Sequence, residues 1–297
     1  MNMRTGPRMG WIPDQPDMRD FGATHSEIQP QISAAISGSP AVRNPPPNVD
    51  LREWCPPIED QGDLGSCTAQ AGVALVEFLQ RRFYGEHLDA SRLFLYKATR
   101  QLLHWTGDRG AYLRTTMKAL RLFGVPPEDY WPYTIQRYDD DPPAFCYAYA
   151  QNYQALRYFR LDPPDASPDG LLDKVKTTLA GGLPAMFGFT VYRSIVQASQ
   201  TGDVPFPCRG EGIDGGHAVV AIGYDDGHEI RNADCDGVTV GAILIRNSWG
   251  TGWGDEGYGW LPYQYIRQGQ AVDWWALVDA RFAEWATFAA AVTPDSE

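Results

Sequence analysis

No stretch of this 297-residue chain approaches the ~18 consecutive apolar residues that a membrane span needs. The N-terminus, Met1-Asn2-Met3-Arg4-Thr5, has no apolar h-region, so no secretory signal is legible. The expectation is a cytoplasmic protein, unless export uses another route. Basic residues are scarce: 25 Lys and Arg stand against 37 Asp and Glu, for a formal net charge of -12. Such a surface repels nucleic acid and anionic membranes, and its main service is solubility. No C-x-x-C or H-x-x-x-H pair occurs, which excludes the usual zinc spacings. No metal and no organic cofactor is therefore expected. No internal repeat or heptad run is evident.

Cysteine is also sparse. The five are Cys55, Cys67, Cys146, Cys208 and Cys235, and the odd count leaves at least one thiol free. If Cys67 is the reactive one, the other four allow two disulfides or none. A reducing compartment favours none. Cys55 reads as a small buried residue or a disulfide partner.

What remains is an ordinary globular composition, 43% apolar and 21% charged, enough for a sizeable core. The length suits one large domain or two fused lobes. Residues 1–48 are rich in Pro, Gly, Ser, Asp and Gln and close on Pro45-Pro46-Pro47, a stiff hinge. They read as an extended leader on the main domain, with Trp11, Ile12 and Phe21 as anchors. Residues 68–84 contain no proline and are apolar on most faces at first, which predicts a buried helix stopped by Gly85. Ser91 caps a second helix to about 103, and 112–123 reads as a third, ended by Gly124 and Pro126. The first lobe, 49–150, is thus mainly helical. Beyond it, 154–161 has strand character, and Ser167-Pro168 opens a helix that ends at Gly181-Gly182. Segments 184–191, 217–224, 241–246 and 258–262 read as strands, with a hairpin turn at Asp225-Asp226-Gly227. The second lobe, 151–297, is mainly β and ends in a tail. Asp139-Asp140-Asp141 reads as a solvated loop.

Three distant motifs carry chemistry. Cys67 lies in Gln61-Gly62-Asp63-Leu64-Gly65-Ser66-Cys67-Thr68, just where the long helix should begin. A thiol needs help to ionise at neutral pH, and a helix N-terminus and an imidazolium both supply it. His217 opens an apolar β segment and can provide the second. Asn247 ends another, where its amide oxygen can orient the imidazole. The side chain of Gln61, with the backbone N–H of Cys67, can bind an oxyanion. The cycle is attack by the Cys67 thiolate, protonation of the leaving amine by His217, and hydrolysis of the thioester.

At these residues the chain resembles the papain family of cysteine peptidases. Asn247-Ser-Trp-Gly-Thr-Gly-Trp-Gly-Asp-Glu-Gly-Tyr258 is similar to the family's asparagine motif. Gly216-His217-Ala218-Val219 resembles its histidine strand, and Gly65-Ser66-Cys67 its nucleophile motif. Val49-Asp50-Leu51-Arg52 looks like the start of a mature enzyme, and the likeness runs from about 48 to about 270. The resemblance implies an α+β, two-lobed papain-like fold. A helical lobe and an antiparallel β-barrel-like lobe would flank the active-site cleft. It implies that Trp249 covers the hydrogen bond between His217 and Asn247, and that Trp253 borders the leaving-group side. The backbone of Gly110, in the loop 107–110, would pair with the substrate chain, and Ala218 would help line the specificity pocket.

Two departures stand out. Leu64 occupies a position where many relatives carry a disulfide cysteine, and no cysteine near 107–110 could partner it. Thr68 replaces the aromatic residue that usually follows the nucleophile. The leader is similar to the short N-terminal extensions of bacterial relatives. The expectation is a monomeric cysteine endopeptidase acting on polypeptides. It would be made as a zymogen whose own N-terminal segment is the inhibitor. An acyl transferase, peptide ligase or deamidase on the same triad is the alternative enzyme; a silent peptide-binding protein is the alternative outside catalysis. His25, His87, His104 and His228 have no motif support and read as structural or surface residues.

Overall fold

The computed structural model describes residues 8–36 and 42–281. The rest of the leader and the expected C-terminal tail lie outside the described residues. Helix α1 (Gln29–Ile36) belongs to the leader, and strand β1 (Asn48–Asp50) opens the main body. Helices α2 (Cys67–Tyr84), α3 (Arg92–Leu102), α4 (Leu113–Leu122) and α5 (Ala144–Ala150) follow. Next come β2 (Gln154–Arg160), α6 (Pro168–Ala180), β3 (Ala185–Tyr192), α7 (Ala198–Thr201) and β4 (Ile213–Asn232). The chain continues through β5 (Gly237–Arg246), β6 (Tyr258–Pro262), α8 (Tyr263–Arg267) and β7 (Ala271–Arg281). The strands form one antiparallel sheet in the order β2-β7-β3-β4-β5-β6, with β1 paired to β4. The fold is α+β, a helical region against an antiparallel sheet.

Local chemistry explains the helix ends. The Ser91 hydroxyl accepts from Phe94 N, and the Ser167 hydroxyl accepts from Gly170 N with Pro168 in the first turn. Gly85 ends α2 in the left-handed region at φ 69°. Fourteen consecutive residues of α2, from Cys67 to Gln80, are buried, so this helix is the central post between the helical region and the sheet. Its carboxylate, Glu77, is fully inside and accepts from Ala90 N at 2.8 Å. Burial pushes its pKa up to about 8. A folded pKa above the unfolded one means that stability from this group is complete below ~4.5 and is lost as pH rises toward 8. Glu77→Gln keeps an acceptor for Ala90 N, so its melting temperature is expected to decline less between pH 5 and pH 8. Melting curves across that range check this; parallel declines in the two proteins would refute it.

The structure corrects three expectations. The segment Asp225-Asp226-Gly227 is not a hairpin turn, because β4 runs through it. The Asp225 carboxylate accepts from Gly227 N, the register slips there, and Asp226 instead accepts from Lys176 and the Tyr263 hydroxyl. The hairpin closes beyond Asn232. There Cys235 forms a disulfide with Cys208, where none was expected; Cys55, Cys67 and Cys146 are free and buried. Spacing of 27 residues hid this pair. Asp139 is not simply solvated: its carboxylate accepts from Arg100 Nη1 at 2.5 Å and from Gly107 N at 2.7 Å. Strand β7 was not legible at all, because Asp273 interrupts its apolar pattern with φ 62°.

Candidate active site

Cys67 is the first residue of α2 and has no exposed surface. Its helix supplies N–H groups without carbonyl partners at that end, a partial positive charge beside the thiol. The thiol faces the backbone N–H groups of Thr68 and of Ala218, the residue after His217. His217 is equally buried, on β4. Its Nε2 donates to Asn247 Oδ1 at 2.8 Å, and that oxygen also accepts from Ser248 N at 2.8 Å. Nδ1 is left as a buried nitrogen without a partner. The Trp249 ring stacks on His217 at 4.5 Å between centroids, and Trp253 meets Trp249 edge-on at 5.4 Å. The hydrogen bond therefore lies under an apolar cover, which keeps competing water away from it.

Gln61 arrives by a different route. Asp60 and Trp249 form an antiparallel bridge, and Gln61 N donates to Ser248 O at 2.9 Å. The Gln61 side chain is oriented at both ends: Oε1 accepts from the Ser248 hydroxyl at 2.7 Å, and Nε2 donates to Leu64 O at 2.9 Å and Arg8 O at 2.7 Å. Cys67, His217, Asn247 and Gln61, chosen from separate motifs, thus converge on one place. Ser248, the partner of Gln61, lies inside the asparagine motif, the one sequence signal that points to it.

The leader runs through this place. Ala111 N donates to Gly10 O at 2.8 Å, Ile12 N to Ala111 O at 3.1 Å, and Trp11 N to Gly216 O at 3.2 Å. The leader pairs with Ala111, the residue after Gly110. The Gly110 N–H is taken by the Tyr96 hydroxyl at 3.1 Å, a turn made at φ 77°. Gly10 lies so close to Gly65 that a Cβ on it would meet Gly65 O at 1.9 Å. The Trp11 indole enters a slot floored by Asp273, to which Nε1 donates at 3.1 Å. Gly188 and Gly216 form its walls, and a Cβ on Gly188 would overlap the ring. Of the expected anchors, Trp11 is buried, Ile12 and Phe21 are half-buried, and Ile28, not foreseen, is completely inside. A second grip is ionic: Arg114 pairs with Asp14 and Asp20, and Arg160 Nη2 donates to Asp14 O at 3.1 Å.

Burial dominates the electrostatics of the pair. Burial pushes the Cys67 thiol up to about 11, opposed by the N–H groups of Ala218, Gly10 and Thr68. Burial holds His217 down to about 4, opposed by its bond to Asn247. At these values thiol and imidazole are both neutral at pH 7. Burial also raises Asp273 to about 6, and the nearby Arg160 guanidinium opposes it.

Comparison with known proteins agrees with this geometry. The profile of the family described as "Papain family cysteine protease" matches residues 45–270. An uncharacterised peptidase C1-like protein of Acanthamoeba polyphaga mimivirus is 33% identical, over 90% of this chain and 86% of its own length. Papain of Carica papaya is 28% identical, over 72% of this chain and 54% of its own. The crystal structure of xylellain, a cysteine protease from Xylella fastidiosa, superposes with a TM-score of 0.71 at 33% identity. That match covers 96% of this chain and 99% of xylellain, well beyond residues 45–270. The chain belongs to the papain family of cysteine proteases, and polypeptides are its substrates.

Proposed function

We propose that the protein is a cysteine endopeptidase made as a zymogen, with Cys67 as nucleophile and residues 1–48 as its inhibitor. The carrying observation is the course of the leader: the Gly10 backbone faces the Cys67 thiol, and Arg8 O occupies the Gln61 amide. No substrate carbonyl can reach the thiol past that backbone. Once the leader leaves, water returns and the desolvation that keeps the pair neutral is relieved. The Cys67 proton passes to His217 Nδ1, giving thiolate and imidazolium. The thiolate attacks the scissile carbonyl carbon. The oxygen becomes an oxyanion, held by Gln61 Nε2–H and the Cys67 N–H. Collapse expels the amine, protonated by His217, and leaves a thioester. Water, deprotonated by His217, then releases the acid and restores the thiol. Asn247 keeps the imidazole in the tautomer that leaves Nδ1 free to accept.

The disulfide between Cys208 and Cys235 supports residence in an oxidising compartment.

The test uses the full chain. Trp11→Ala empties the slot above Asp273 and forfeits the burial of an indole, roughly 3–5 kcal/mol. Its turnover of a fluorogenic peptide is expected to exceed that of the unaltered chain by roughly a hundredfold. Equal turnover by the two chains would sink the zymogen reading.

A further inference from the structure

The loop 107–110 carries a carboxylate that the reaction above does not use. The Asp108 side chain is 7% exposed. Its two oxygens accept from Gly65 N at 3.1 and 3.2 Å, across 43 residues of sequence. Gly65 lies two residues before Cys67. Oδ1 also accepts from the Tyr96 hydroxyl at 2.5 Å, and that hydroxyl oxygen accepts from Gly110 N at 3.1 Å. One carboxylate therefore ties the nucleophile's turn to the rim on which the leader pairs. Asp139 braces the other end of the same loop through Gly107 N.

The local sequence is shaped for this contact. A Cβ on Gly65 would meet Asp108 Oδ1 at 2.9 Å, so a side chain there would push the carboxylate off the backbone. No cysteine occurs at 64 or in 107–110, so nothing covalent joins the two segments there. The charged contact with Arg8, at 2.9 Å, is a lesser matter: Arg8 is 57% exposed, and a solvated pair contributes little. The bonds to Gly65 and Tyr96 involve only the main body and do not depend on the leader.

We propose that Asp108 is a positioning residue for the peptidase reaction. Through Gly65 it sets the Gly65-Ser66-Cys67 turn, and with it the Cys67 N–H that faces the oxyanion. Through Tyr96 it sets the rim at Gly110 and Ala111, where an extended chain pairs. The first link acts on the transition state and so on kcat; the second acts on chain binding and so on KM. Small displacements of an oxyanion donor are costly, because its worth lies in being fixed beforehand.

The assay rests on the zymogen reading only in needing the leader loosened. Each variant is therefore made both in the unaltered full chain and in the full chain carrying Trp11→Ala. Equal rates in those two parents would count against the zymogen reading. An Asp108→Leu variant equal in kcat to its own parent counts against this one. Asp108→Leu, which offers no acceptor, is expected to lower kcat by about tenfold to a hundredfold. Asp108→Asn keeps an amide oxygen for Gly65 N and is expected to recover kcat to within about threefold of the parent. Tyr96→Phe is expected to raise KM by about threefold and to move kcat less than that. Equal kcat losses in the Leu and Asn variants would overturn the proposal, as would an unmoved kcat in Asp108→Leu. If Asp108→Leu does not fold, the Asn and Phe variants decide: a Tyr96→Phe defect larger in kcat than in KM overturns it.

Discussion

In the full chain loosened by Trp11→Ala, Cys67→Ala is expected to abolish thioester formation and leave no measurable turnover. His217→Ala is expected to lower kcat by ~10⁴ or more, because the same imidazole draws the proton from the thiol, protonates the amine and activates water. Asn247→Ala should cost less, about tenfold to a hundredfold, since Trp249 still stacks on the ring and restrains it. The pH dependence follows from the same groups. With the leader seated, burial raises the thiol to about 11 and lowers the imidazole to about 4, so alkylation of Cys67 at pH 6 should be slow. Loosening the leader moves both values toward each other and past each other, because imidazolium and thiolate stabilise one another. Fast alkylation at pH 6 should therefore appear in Trp11→Ala and vanish on adding His217→Ala. Intact-mass labelling rates and kcat decide together. A His217→Ala protein within tenfold of its parent in kcat would refute the assignment.

Arg160→Met is expected to destabilise the fold by about 3–5 kcal/mol, the usual cost of removing one partner from a buried ionic cluster. Arg160 is 2% exposed. Its guanidinium donates to both oxygens of Asp162, at 3.0 and 3.2 Å, and lies 3.3 Å from Asp273. Asp162 in turn accepts from Asp273 N and Trp274 N, which fixes the bend of β7 under the Trp11 slot. Methionine fills the space but leaves two buried carboxylates without their cation. Burial already raises both above their ordinary values, with Arg160 opposing, so the variant raises them further. Groups with raised folded pKa contribute most at low pH and lose that contribution as pH rises. The deficit should accordingly be smaller at pH 5 than at pH 8. Urea unfolding at the two pH values measures it; a deficit below ~1 kcal/mol, or one that ignores pH, would contradict the cluster's role. Because Arg160 also holds Asp14 O, the same variant should release leader-masked activity in the full chain.

Much of this was legible in short range. Residues 91, 167 and 168 announce helix starts by chemistry that needs only a few neighbours, and the helices begin where they say. The motif around Asn247 and the position of Cys67 at a helix start depend on local backbone geometry, so both residues stand out in the sequence as candidates. Trp11 was legible as an anchor because an exposed tryptophan in a polar leader is costly. The failures are of a different kind. Asp225-Asp226-Gly227 has the composition of a turn, but composition cannot say that β5, Lys176 and Tyr263 would hold it straight.

The sequence alone therefore determined the chemistry: a thiol on a helix N-terminus, an imidazole on a strand, and two amides, each specified by its immediate neighbours. Tertiary structure alone decided what those groups meet. It laid Gly10 over the thiol, turned the Gly110 N–H inward so that Ala111 does the pairing, joined Cys208 to Cys235, and set Asp108 against Gly65. These contacts link residues 14 to 57 positions apart, beyond the reach of local preference, so packing and charge pairing in the folded chain choose the partner.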